Sequence, residues 1–95
     1  MTMAKRCGYR RYFGGIGYSE ADWPLARLEI EGTEVRVCAP HDRIVVSRDQ
    51  ATGFRQPWLK TRIEYSRDGE PEELVVYGFG VGPALRQWWE RRDGG

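Results

Sequence analysis

Lys5, Arg6, Arg10 and Arg11 stand close to the start of the chain, and Tyr9, Tyr12 and Phe13 surround the last two. Cations of this kind meet phosphate oxygens, and rings between them can stack on bases. The same cations suit an anionic membrane, where each adds about 1 kcal/mol near the surface. The four are therefore candidate anion-binding residues, for a membrane lipid or a nucleic acid. The competing reading is an edge strand kept soluble by its arginines over core tyrosines. The whole chain carries a net charge of +1, so no overall field selects a polyanion. The first nineteen residues hold four cations and no acid, which leaves the remainder net negative.

Other groups with chemical potential are weaker. Cys38 and His41 have local metal-ligand spacing, but even with Cys7 a fourth ligand is missing. A buried thiol and a turn histidine explain them better. His41 beside Asp42 lacks an accompanying nucleophile motif. Glu70, Glu72 and Glu73 flank a turn and read as a solvated hairpin tip. The string Gly78-Phe79-Gly80-Val81-Gly82 precedes a helix, where a phosphate would be at home. A dinucleotide site would need a further parallel strand and an acid about 20 residues on. Only 13 residues follow Gly82, and no P-loop Lys-Ser/Thr pair is among them. The glycines read instead as a sharp strand-to-helix turn. The expectation is a non-enzyme with no cofactor and no metal.

The elements that must position these groups follow from patterning. Ninety-five residues make one domain, 1–95, with 40% hydrophobic and 31% charged residues, too apolar for disorder. No apolar run reaches the ~18 residues of a membrane span, and no apolar segment follows the N-terminal charges as in a signal peptide. Two cysteines without a disulfide framework fit a reducing compartment, so the cytoplasm is expected. Residues 1–8 read as a flexible arm. Tyr9 to Tyr18 reads as a short irregular strand and a loop, and Ser19 to Pro24 as a connection. Leu25–Ile30 and Glu34–Ala39 flank Glu31-Gly32-Thr33 as a hairpin. Ile44–Arg48 is a further strand, followed by a turn and a short strand ending near Phe54. Leu59, Thr61, Ile63 and Tyr65 alternate with polar residues, giving one dry face and one wet face. Asp68-Gly69 turns this strand back into Leu74–Phe79.

The last element is a helix over 83–92, with Pro83 at its first position. Ala84, Leu85, Trp88 and Trp89 form one apolar stripe at helical period. A helix this short is marginal alone in water. Leu85 and Trp88, or failing it Trp89, are therefore its expected structural anchors on the sheet. The fold class is mainly β: an antiparallel bent barrel or sandwich of six to seven short strands, capped by one C-terminal helix.

The hairpin LARLEIEGTEVRV, the segment TRIEYSRDGEPEELVVYGF and the closing helix GPALRQWWE resemble the bacterial pleckstrin-homology-like (PH-like, GRAM-like) domain family. The resemblance covers roughly residues 11–92 and lies in hydrophobic spacing and element order. It implies a seven-stranded bent barrel with a C-terminal helix. It also implies a lipid-headgroup, peptide or self-association module. Lipid-binding members carry a basic pair between the first two strands. Here the best candidate for that loop, Gly14 to Trp23, holds Glu20 and Asp22 instead.

The expected function is a small intracellular, non-catalytic binding or assembly module that engages a protein partner or itself. The alternative is anionic ligand binding through Lys5, Arg6, Arg10 and Arg11.

Overall fold

The structure is a computed structural model and describes residues 2–14 and 17–91. Its central strand is the N-terminal one, β1 (Thr2–Phe13). The next strand, β2 (Gly17–Glu31), runs back along its whole length. Residues 2–8 are thus not a free arm, and Met1 lies outside the described residues. Met3, Cys7 and Tyr9 face the core from β1, and Cys7 and Tyr9 are fully buried. A segment that contributes side chains to the core cannot fray without opening it.

The chain continues through β3 (Glu34–Ala39), β4 (Asp42–Ser47), a 3-10 turn (Arg48–Gln50), β5 (Ala51–Arg55), β6 (Lys60–Arg67) and β7 (Glu70–Tyr77). It ends in helix α1 (Val81–Glu90). The seven strands form one antiparallel sheet in the order β4-β3-β2-β1-β7-β6-β5. The sheet curls into a half-barrel around a single core. That core takes alternate residues from both wings: Leu28, Val35, Val37, Ile44 and Val46 from one, Ile63, Leu74 and Val76 from the other. Such period-two burial is what the alternating sequence dictates. Across the gap between the wings, the Arg67 guanidinium on β6 donates to the Val45 carbonyl on β4 at 3.0 Å.

The turns follow their residues. Gly32 takes φ +60 between the paired Glu31 and Glu34, and Asp68-Gly69 takes φ +51 and +81. These are the positive φ values that tight hairpins need and that Gly and Asp tolerate best.

α1 starts at Val81, two residues before the expected position, because Gly80 at φ +74 already turns the chain. Pro83 falls third, still within the first turn, where a missing N–H costs no hydrogen bond. Leu85 and Trp88 are buried on the core. The Trp88 indole N–H donates to the Thr33 carbonyl at 2.8 Å, tying the helix to the β2–β3 turn. Trp89 is half-buried, stacked on Phe54 at 5.2 Å with the Arg48 guanidinium 3.8 Å from its ring centre. Arg92, the last residue of the expected helix, lies outside the described residues.

Candidate functional site

The strand pleat separates the four N-terminal cations. Lys5 shares the inner face of β1 with Met3 and Cys7, and Arg11 shares it with Tyr9. Arg6 and Arg10 stand on the outer face, exposed. On that face Arg10 meets Glu20 of β2 at 3.3 Å. Tyr12 and Tyr18 stack on each other beside this pair, at 5.9 Å between ring centres. The four do not converge on one patch. The β1–β2 connection at 14–16 is shorter than the expected loop; Gly15 and Ile16 of it lie outside the described residues.

Arg11 has been drawn into a polar centre at one end of the barrel. Its Nε and Nη2 donate to Glu72 Oε1 at 3.3 and 3.2 Å, and its Nη1 lies 3.5 Å from Asp42 Oδ1. Tyr65 donates its hydroxyl to the same Glu72 oxygen at 2.7 Å, and Arg67 Nε approaches it at 3.6 Å. Glu72 is therefore a nearly buried hub and not a solvated hairpin-tip residue: its side chain is only 9% exposed. Asp42 accepts from Ser19 Oγ at 2.7 Å, from the Tyr9 hydroxyl at 3.0 Å and from the Arg43 N–H at 2.9 Å. Burial pushes the Asp42 carboxyl up, but these hydrogen bonds and the Arg11 charge outweigh it and hold its pKa below the usual carboxylate value. Burial first, and the bond to Glu72 second, push the Tyr65 phenol up to about 12. Every group in this centre is engaged by another protein group, and no base there faces an activated nucleophile. Its arrangement is that of a cross-strand lock.

At the other end, near the start of α1, the surface is apolar and unpartnered. Trp58 is 97% exposed, Leu59 89% and Phe79 83%. They surround a groove of about 750 Å³ with Trp23, Tyr77 and Pro83. Three local features build it. First, the Lys60 N–H donates to the Pro57 carbonyl at 3.1 Å, closing a turn with Trp58 at its first central position and φ +57. An L-residue there is strained by about 1–2 kcal/mol, and glycine is the usual occupant. The strain sets a large indole in solvent. Leu59 was expected on the dry face of the next strand, but the turn takes it, so pairing begins at Lys60 and the dry face is Thr61, Ile63 and Tyr65.

Second, β2 carries an enlarged bulge. Cys7 pairs with Ala26 and Tyr9 with Ala21, so Gly8 alone opposes Asp22 to Leu25. The bulge turns Trp23 outward, edge-on to Phe79 with ring centres 5.8 Å apart. Gly8 makes room for it. A Cβ there would sit 2.4 Å from the Tyr77 ring and 2.6 Å from the Trp23 backbone nitrogen. Tyr77 lies across this gap and donates to Asp22 Oδ1 at 3.1 Å.

Third, Gln56 clamps the floor. Its Nε2 donates to the Gly82 carbonyl at 2.7 Å and to Thr61 Oγ1 at 3.1 Å, and its Oε1 accepts from Arg86 Nε at 3.0 Å. The β5–β6 connection and the start of α1 are thereby held together, and the groove is preformed.

The sequence marked Phe79 only within a glycine turn and Leu59 only as a strand residue, and it did not mark Trp58. The signal for them is local: large apolar side chains in Gln56-Pro57-Trp58-Leu59 and Gly78-Phe79-Gly80, turn segments that no sheet face can bury.

His41 is exposed at the β3–β4 turn, and Cys7 and Cys38 are free thiols. Burial, then the neighbouring Cys38, push the Cys7 thiol up to about 12, far from a reactive thiolate. Among the described residues no three of His, Cys, Asp and Glu stand together as metal ligands, and no helix is long and apolar enough to cross a membrane. In comparisons with protein-family models, with curated proteins and with solved structures, nothing matches this chain.

Proposed function

We propose that this chain is a non-catalytic, PH-like protein-binding module, and that the groove between the β5–β6 turn and the start of α1 receives apolar side chains of a partner protein. The single observation that carries this reading is the exposure of Trp58, Leu59 and Phe79 around one concavity. Exposed apolar patches of this kind mark interaction sites, and a strained residue held outward points the same way. The volume falls in the range of binding clefts. Tryptophan and tyrosine are the residues that most often dominate binding energy at such sites. The meander of seven strands with a terminal helix supports the PH-like assignment, and two free thiols support a cytoplasmic setting.

A photo-crosslinking amino acid placed at Leu59 tests the reading in the native cell. A discrete protein adduct is expected from position 59, and none from the exposed Arg43 on β4, on the other wing of the sheet. An adduct twice the mass of the chain would identify self-association as the interaction. Absence of any adduct specific to position 59 would remove the groove as a protein-binding site.

A further inference from the structure

The charge around the groove names the chemistry of its partner. Among the described residues two charged side chains line it, Lys60 and Arg86, and no carboxylate does. Lys60 is exposed and makes no ion pair among the described residues. Arg86 has one, to Glu90 at 3.6 Å, with both side chains more than half exposed, an arrangement of little energetic worth. A third cation reinforces the field. Lys5 lies under Gly80, close enough that a Cβ on Gly80 would come within 3.0 Å of its Nζ. On the other side Asp22, a single carboxylate, accepts a hydrogen bond from the groove residue Tyr77. The result is an apolar cleft with a positive rim on a molecule whose net charge is only +1.

Resting on the protein-binding reading above, we infer that the groove's occupant is an acidic protein segment: one or two aromatic or leucyl side chains flanked by Asp or Glu. The apolar side chains fill the space between Trp58 and Phe79, and the flanking carboxylates meet Lys60 and Arg86. Complementary charge of this kind steers encounter and excludes basic competitors. A concave cleft favours a protein segment over a membrane, because a bilayer offers no knob to fill it. The positive charge here is also sparser than the clusters of 4–8 cations typical of anionic-lipid recognition.

Selection of a random 12-residue peptide library on the intact chain is the test, with retention by phosphatidylserine vesicles measured in parallel. Enrichment of peptides combining Trp, Phe or Leu with Asp or Glu is expected. Their binding should vanish in Trp58→Gly. It should weaken about tenfold in Lys60→Gln with Arg86→Gln, since each exposed pair is worth up to about fivefold. Melting curves of both variants establish that they remain folded. Peptides that need Trp58 but carry no acidic bias would overturn the inference and leave the groove reading standing. Failure to enrich any peptide that depends on Trp58 would overturn both. Trp58-dependent retention on vesicles without such peptides would also overturn both, in favour of a membrane surface.

Discussion

Trp58 concentrates the cost and the use of this surface in one residue. Its left-handed backbone costs about 1–2 kcal/mol, and its ring gains almost nothing from folding at 97% exposure. Trp58→Gly relieves that strain, while glycine's greater freedom in the unfolded chain takes back up to about 1 kcal/mol. The variant should melt at or slightly above the temperature of the parent while losing groove binding; a marked drop in melting temperature would show that the indole is structural. Tyr65 makes the opposite case, a polar group whose burial is purely architectural. Its folded pKa, about 12, lies above the ordinary value of 10, so the neutral phenol is the form that the fold favours. Its contribution is complete below pH 10 and is lost as pH rises toward 12. Thermal melts from pH 7 to 11.5 should fall less steeply at the alkaline end in Tyr65→Phe than in the parent. Cys7, also raised to about 12 from 9, adds a decline that the substitution leaves in place.

At the scale of elements, α1 is held by two tryptophans of unequal weight. Trp88 is 1% exposed and satisfies the Thr33 carbonyl, so Trp88→Ala both opens a cavity and strands an acceptor. A loss of about 3–5 kcal/mol is expected, enough to unfold much of a marginal domain. Trp89 is half-buried against Phe54 and Arg48, and Trp89→Ala should cost about 1–2 kcal/mol, the scale of a stacked and cation–π contact. Urea titrations of the two variants give the ranking; equal midpoints would contradict the division of labour between the two rings. The same helix forms one wall of the groove through Pro83 and Arg86, so its anchoring on the core also sets the shape of the binding surface.

Over the whole molecule, the two wings of the sheet meet through side chains as well as through β1. Arg11, Asp42, Glu72 and Arg67 link β1, β4, β6 and β7 across the open side of the curl. Removing Arg11 leaves Glu72 and Asp42 without their main counter-charge. Arg11→Ala should therefore destabilise by about 3 kcal/mol, whereas Arg10→Ala, at an exposed pair on the outer face, should leave the melting temperature nearly unchanged. Indistinguishable melts for the two would mean that the lock contributes nothing. The far-ultraviolet circular dichroism spectrum should be that of a β protein, since α1 supplies 10 residues of 95. A helical fraction above about a third, the ordinary level for globular proteins, would be incompatible with this architecture.

The amino-acid sequence by itself determined the parts that depend on neighbours along the chain. Alternation in Thr61-Ile63-Tyr65 and Val35-Val37 decided which faces are dry, and Gly32 and Asp68-Gly69 decided where hairpins turn. The spacing of Leu85 and Trp88 marked one face of a helix. Only the tertiary structure decided the parts that depend on distant pairing. β1 became the central strand because β2 and β7, from opposite ends of the chain, both hydrogen-bond to it. No local pattern announces that residues 2–7 pair with β2, or that Tyr9–Phe13 pair with both strands. Arg11 became a nearly buried lock because β1–β7 pairing brings it to Glu72, 61 positions away, and curling brings it to Asp42; the pleat then left Arg6 and Arg10 on the other face. The groove is the clearest instance. Trp23 lies in the β2 bulge and Trp58 and Phe79 in two separate turns, none able to bury a large ring, and the pairing of β2, β1, β7 and β6 is what brings the three rings together.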